Sequence, residues 1–170
     1  MFSLEEITIR KASLEDYTEE KYEFIYNWMS QVADYLYFTP KRERMEKDRI
    51  RFLASLESNL TVVAVTNDGK VVGQCQLFKS DSPKLSHVAK VGIAVAPSYW
   101  RKGIGTALLR KIEEIAKSEG IIKIEAEVIA PNTAALNLFK KNGYHQEGRR
   151  LKKFNFKGSL VDEIEFGKFL

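Results

Sequence analysis

Val91-Gly92-Ile93-Ala94-Val95-Ala96-Pro97-Ser98-Tyr99-Trp100-Arg101-Lys102-Gly103-Ile104-Gly105-Thr106-Ala107-Leu108-Leu109 joins an apolar run that stops at a proline to a basic, glycine-containing loop and then to an amphipathic helix. A chain builds an anion site this way. The first amides of a helix have no internal partner, and the helix dipole places about half a positive charge at that end. Gly103 and Gly105 lack side chains, so a phosphate can reach those amides, and Arg101 and Lys102 add full charges beside them.

Two other phosphate loops compete with this reading. The Walker pattern needs a glycine, four residues, then Gly-Lys-Ser/Thr, and the chain has no such string. A nicotinamide dinucleotide fingerprint needs three glycines directly after a strand. Leu108 stands where the third small residue belongs, and several residues separate Ala96 from Gly103. Glu125 does lie at the distance of a ribose-binding acid, but two of the three requirements fail.

The residues downstream extend the pattern. Ile104, Leu108, Ile112 and Ile115 recur at helical spacing, and Gly120 is placed to stop the helix. Ile121 to Ile129 alternates, with Ile122, Ile124, Ala126 and Val128 on one face and Lys123, Glu125 and Glu127 on the other. Then comes Pro131-Asn132-Thr133-Ala134-Ala135-Leu136-Asn137-Leu138-Phe139-Lys140-Lys141-Asn142-Gly143-Tyr144, a second helix closed by a glycine suited to a left-handed cap.

Gly103 and Gly105 match the Gln/Arg-x-x-Gly-x-Gly/Ala loop of the GNAT superfamily of N-acetyltransferases, and residues 132–144 are similar to its second motif, Asn-x-x-Ala-hydrophobic-x-Leu-Tyr-x-x-x-Gly-Phe. The chain resembles members that acetylate proteins and small amines. Trp100 departs from the Gln/Arg position, Phe139 from the tyrosine, and Tyr144 from the final phenylalanine. The resemblance implies an α/β (α+β) fold: a mixed, mostly antiparallel sheet of about seven strands flanked by about four helices. It implies acetyl-coenzyme A as co-substrate and no metal. Pantetheine would pair with the strand around Ile93, Ala94 and Val95, and pyrophosphate would rest on the amides of Arg101, Lys102, Gly103, Ile104, Gly105 and Thr106. Asn132 and Lys140 would also contact the cofactor, although Asn132 reads equally as a plain helix cap.

The acceptor amine would attack the thioester directly, so no nucleophilic cysteine is required. Glu127 matches a glutamate that some members use as the base, and the competing view is an ordinary surface glutamate. His87, which precedes the cofactor strand, is the second candidate base. Phe139 has no proton for the leaving thiolate, which leaves water or a tyrosine such as Tyr35, Tyr37 or Tyr144. That departure also keeps a non-catalytic, acyl-coenzyme A-binding or sensing domain open. Tyr35 to Thr39 falls where the family places an acceptor-binding loop; its aromatic residues either line that site or pack a helix junction.

The remainder agrees with one domain over residues 1–170. Ile7–Arg10 reads as a strand, Ser13 to Asp16 as a capping box, and Phe24, Ile25, Trp28, Met29 and Val32 as one helical face. Thr39-Pro40 is expected to open a second helix with Met45, Phe52, Leu53 and Leu56 buried. Asn67-Asp68-Gly69 joins strands at Leu60–Thr66 and Lys70–Phe78, and Phe154–Phe156 and Val161–Phe169 are two further strands. The lone Cys75 lies in an apolar run and reads as a small core residue. No 18-residue apolar stretch is present, and Glu5 and Glu6 interrupt any signal core, so a cytoplasmic protein with no membrane partner is expected. The net charge of +4 suits an anionic cofactor. The cluster Lys41, Arg42, Arg44, Lys47, Arg49 and Arg51 is interrupted by acids and reads as a solvated helix face rather than a nucleic-acid patch. The resemblance implies a small-molecule amine or a protein amino group as acceptor, and a monomer or homodimer is expected.

Overall fold

Alternating apolar runs need partners for their polar backbone groups, and here they find them in one sheet. The computed structural model describes residues 6–170, so the reading at Glu5 lies outside the described residues. The strands are β1 Ile7–Lys11, β2 Leu60–Thr66, β3 Val71–Lys79, β4 Val88–Val95, β5 Lys123–Ile129, β6 His145–Phe156 and β7 Ser159–Phe169. Their order across the sheet is β1-β2-β3-β4-β5-β7-β6, and only the β4–β5 junction is parallel. The helices are α1 Glu19–Gln31, α2 Met45–Ser55, α3 Ile104–Ser118 and α4 Thr133–Lys141. This is the expected class and element order.

Alternation sends each strand's side chains to two faces. On one face α3 buries Ile104, Leu108, Leu109, Ile112 and Ala116, and α4 buries Phe139 against Phe166 of β7. On the other face α1 buries Ile25, Trp28 and Met29, and the Trp28 indole donates to the Val71 carbonyl at 3.0 Å. Cys75 is fully buried, and burial pushes its thiol far up, as befits an inert core residue.

Several boundaries differ from expectation. The Ser13–Asp16 pattern caps a 3₁₀ turn, Leu14–Tyr17, in which the Asp16 carboxylate accepts the Ser13 amide at 2.8 Å. Thr18 then caps α1 separately. Thr39-Pro40 starts no helix. A 3₁₀ turn at Arg42–Arg44 precedes α2, whose expected stripe of Met45, Phe52, Leu53 and Leu56 is only half-buried because α2 packs mainly on α1 and the Leu14–Tyr17 turn. Ile122 is exposed, and β5 begins one residue later. Ile121 is spent on closing α3: its amide donates to the Ala116 carbonyl at 3.1 Å. β6 runs nine residues further toward the N-terminus than expected, because it is an edge strand whose side chains are nearly all solvated. It therefore shows no apolar alternation, and bulges between Gln146/Gly148 and Arg150/Phe154 break its register.

Candidate functional site: the gap between β4 and β5

β4 and β5 pair only through Val88–Lys123, Ala89–Ile124 and Lys90–Glu125. Beyond that point β4 continues to Val95 and β5 to Ile129, but β5 pairs there with β7 alone. The edge of β4 facing β5 is thus open from residue 91 onward. The Ala96 amide donates to the Val72 carbonyl at 2.8 Å, which makes Gly73–Val95 a non-hydrogen-bonded pair. Both polar backbone groups of Val95 therefore turn toward the gap, and by alternation so do those of Ile93. Ala94 turns its backbone groups to Gln74 of β3 instead, so of the three expected residues only Ile93 and Val95 present backbone partners. The Trp100 indole donates to the Val95 carbonyl at 2.6 Å. Trp100 thus closes the end of the open edge, and the Ile93 amide and carbonyl and the Val95 amide remain.

Residues 101–106 lie at the end of this gap. Arg101 and Gly103 both adopt left-handed backbone, with φ of 60° and 85°. For Gly103, the residue before α3, this conformation carries no steric cost. The first α3 amide bonded within the helix is that of Ala107, to the Gly103 carbonyl at 3.1 Å. The amides of Ile104, Gly105 and Thr106 have no helical acceptor, which is the arrangement an anion cradle needs. Arg101 is exposed, and the Lys102 ammonium lies 5.1 Å from the Tyr99 ring centroid.

Gly105 has a packing reason beside the one its motif suggests. A Cβ there would meet Leu138 side-chain carbons at 3.2 and 3.3 Å. The glycine lets α3 and α4 approach closely, and the Asn142 amide nitrogen donates to the Thr106 hydroxyl at 3.3 Å along the same seam. Asn132 is a helix cap, its Oδ1 accepting the Ala135 amide at 3.2 Å. Lys140 is exposed in the last turn of α4, about 160° around the helix from Asn142, so the seam does not bring it to the α3 amides.

On the α1 face of the sheet, Glu127 stands two residues beyond the last paired position of β5, at the mouth of the gap. Lys90 reaches it from β4 at 2.5 Å. That hydrogen bond holds the Glu127 carboxyl below the usual carboxylate range, against the opposing pull of its partial burial. Glu165 lies directly opposite Glu127 on β7, and Glu163 one diagonal step away on the same face. His87 lies elsewhere. Its carbonyl accepts the Ile122 and Lys123 amides at the closed end of the junction, about 16 Å of strand from Glu127. The structure does not bring the two candidate bases together.

The tyrosines divide as well. Phe139 is buried against Tyr144 and Phe166, and the Tyr144 hydroxyl donates to Glu113 at 3.0 Å in the core, away from the gap. Burial and the Glu113 charge push that phenol far up, so it is no proton source. Tyr35 packs on Phe156 and Tyr37 on Phe154, which places residues 33–38 against the β6–β7 hairpin beside the gap. The Tyr37 hydroxyl donates to Glu163 at 2.5 Å. Glu163 was not legible as a site residue, because only the β5–β7 adjacency sets it beside Glu127. Beyond Tyr37, a cavity of about 550 Å³ is lined by Phe38, Thr39, Lys41, Arg44, Lys47, Asp48 and Arg51. The basic cluster is thus split. Arg49 pairs with Glu46 and Arg42 with Glu23, while four cations face this cavity with a single acid.

An open strand edge leading to a row of free helix amides fits an extended ligand that ends in phosphates, as the pantetheine and pyrophosphate of coenzyme A do. Among the described residues no cluster of His, Cys, Asp and Glu could hold a metal ion, and no helix is long and apolar enough to cross a membrane.

Comparison with known proteins identifies the family. The chain is 28% identical over 160 residues to the L-amino acid N-acetyltransferase of Escherichia coli strain K12, covering 94% of this chain and 95% of that one. The crystal structure of an acetyltransferase of the GNAT family from Streptococcus pneumoniae superposes with a TM-score of 0.81 at 25% identity, over 97% of this chain and 99% of that one. A phosphinothricin acetyltransferase from Sinorhizobium meliloti, solved in complex with acetyl-coenzyme A, has the same fold, with a TM-score of 0.83 at 19% identity over 96% of this chain and 88% of that one. The profile of the acetyltransferase (GNAT) family matches residues 14–144, well over half the chain, and the chain belongs to that family of N-acetyltransferases.

Proposed function

We propose that the protein transfers an acetyl group from acetyl-coenzyme A to the primary amine of a small acceptor that also carries a carboxylate, such as an amino acid. The observation that carries the first half is the open β4 edge ending at the α3 amides. Ile93 and Val95 align the pantetheine arm, the amides of residues 104–106 hold the pyrophosphate, and Arg101 and Lys102 add long-range attraction. The thioester supplies the activated acyl group. The acceptor nitrogen forms a bond to its carbonyl carbon, the carbon–sulfur bond breaks, and the nitrogen loses a proton.

Glu127 receives that proton, directly or through one water. It is ionised at neutral pH because Lys90 stabilises its charge, so it also attracts the ammonium form of the acceptor. A lysine-like amine costs about 4–5 kcal/mol to deprotonate at pH 7, and a fixed carboxylate at the mouth of the gap offsets part of that. The departing thiolate takes its proton from water. A thiol with a pKa of about 8.5 is a fair leaving group near neutrality, so the lack of a phenol at Phe139 does not block turnover.

The acidic side of the acceptor is supported by the cavity beyond Tyr37, whose four cations face one acid. Such a surface disfavours polyamines and aminoglycosides. The relative from Escherichia coli, by its name, acts on L-amino acids. Thiol release from acetyl-coenzyme A, measured over amino acids, their amides, polyamines and N-terminal peptides, tests the proposal. Free amino acids are expected to exceed their amides at least tenfold in kcat/KM. Equal rates with the amides would remove the carboxylate from the reading. Binding of acetyl-coenzyme A with no thiol release for any amine would favour the sensing domain that Phe139 leaves open.

A further inference from the structure

Among the described residues only two acidic side chains are buried, Asp16 and Glu163. Asp16 is accounted for by Arg10 and the Ser13 amide. Glu163 is 1% exposed, in the middle of β7, and burying a carboxylate is costly unless it has partners. Its cationic neighbour is a poor one: the Lys153 ammonium is 3.7 Å away on a half-exposed side chain. Its close partner is the Tyr37 hydroxyl at 2.5 Å, 126 residues distant in the chain.

That bond does not stand alone. The Tyr37 ring meets Phe154 edge-on with centroids 5.0 Å apart, the Tyr35 ring meets Phe156 at 5.4 Å, and Asp34 faces Lys157 at 3.8 Å. The segment between α1 and the 3₁₀ turn at Arg42 is therefore fastened to the β6–β7 hairpin along its first half. Beyond Tyr37 it is exposed and leads into the basic cavity. Glu163 shares its sheet face with Glu127, one diagonal step away.

We propose that Glu163 is a positioning residue which, through the Tyr37 hydroxyl, holds the 36–41 segment over the sheet and so sets the distance between the Glu127 end and the basic end of the acceptor pocket. It touches neither the thioester nor the amine. Burial first, and then the bond to Glu163, raise the Tyr37 phenol, so it remains a neutral donor in the working range and serves as a fastener. A short, charge-assisted bond suits this use, because it fixes both length and direction.

The inference rests on the acetyltransferase reading, and its test separates the two. Tyr37→Phe, Glu163→Leu, Glu163→Gln and the double variant Tyr37→Phe/Glu163→Leu are compared for acceptor KM, kcat, acetyl-coenzyme A affinity and tryptic cleavage after Lys41 and Arg42. Tyr37→Phe and Glu163→Leu should each raise acceptor KM about tenfold, the usual scale for losing a hydrogen bond to a charged group. Both should also speed cleavage; in Tyr37→Phe, which leaves the Glu127–Glu163 contact in place, kcat and cofactor affinity should stay within about twofold, as expected when only ground-state binding is lost. Glu163→Gln keeps an acceptor oxygen for the phenol and should recover most of the loss. The double variant should be no worse than Glu163→Leu, since both remove one bond. If Glu163→Leu does not fold, Tyr37→Phe against Glu163→Gln carries the comparison. Unchanged acceptor KM and cleavage in Tyr37→Phe, or effects that multiply in the double variant, overturn the inference. Wild-type protein that fails to bind acetyl-coenzyme A overturns the acetyltransferase reading instead.

Discussion

At the scale of single residues, the pair Lys90–Glu127 carries the proposed chemistry. Glu127→Gln keeps the shape and removes the proton acceptor, so kcat should fall by about 10²–10⁴ with acetyl-coenzyme A affinity unchanged, the usual range for general base catalysis. Lys90→Met should act on the same carboxylate from the other side. Without its cation the Glu127 pKa rises, and the acidic limb of the kcat/KM profile should move to higher pH. Full activity in Glu127→Gln would place the proton on water or on an acceptor that arrives neutral. Gly105 makes a separate claim. Gly105→Val should wedge Leu138 away, lowering both melting temperature and cofactor affinity. Adding Leu138→Ala should recover part of both if the glycine serves helix packing. Recovery of stability without affinity would return Gly105 to direct contact with phosphate.

At the scale of elements, the 3₁₀ turn before α1 shows how a local pattern becomes a stability device. Arg10 of β1 grips Asp16 with two bonds of 2.7 and 2.8 Å, and Asp16 accepts the Ser13 amide as well. Burial opposes ionisation, but these bonds together hold the carboxyl below its usual range. A folded pKa below the unfolded value of about 3.9 contributes stability above that pH and loses it as the folded group protonates. Asp16→Asn should therefore cost about 2 kcal/mol at pH 7, and the gap to wild type should close below about pH 4 in denaturant titrations. Elements with their own periodicity were legible in this way: α3 from Ile104, Leu108 and Ile112, β5 from Ile124, Ala126 and Val128. The start of α3 was legible because a proline ends the strand before it and a glycine loop leads into an amphipathic run. What stayed hidden depended on partners. Residues 145–153 of β6 have no buried face to mark them, Thr39-Pro40 has cap chemistry but no helix to cap, and Glu163 matters only because β7 lies between β5 and β6.

At the scale of the whole molecule, the cofactor should act as a missing strand. Acetyl-coenzyme A at 100 times its dissociation constant adds about 2.7 kcal/mol to stability. For a domain of this size that corresponds to a rise in melting temperature of about 5–10 °C. A thermal shift absent at millimolar cofactor would count against the open β4 edge as its site. The narrowness of the β4–β5 junction has another consequence, for the order in which the chain assembles. β2 to β4 form a meander of near neighbours with β1 added at its edge, and β5 to β7 form a second sub-sheet; the two sub-sheets meet through three residue pairs and a crossover through α3. Antiparallel neighbours close short loops early, whereas a parallel junction waits for its crossover helix. The seam should be the last part of the sheet to zip on refolding and the first to part in the native state. Its backbone amides would then exchange hydrogen sooner than those of β2 and β3, and bound cofactor would slow them more than any others in the sheet.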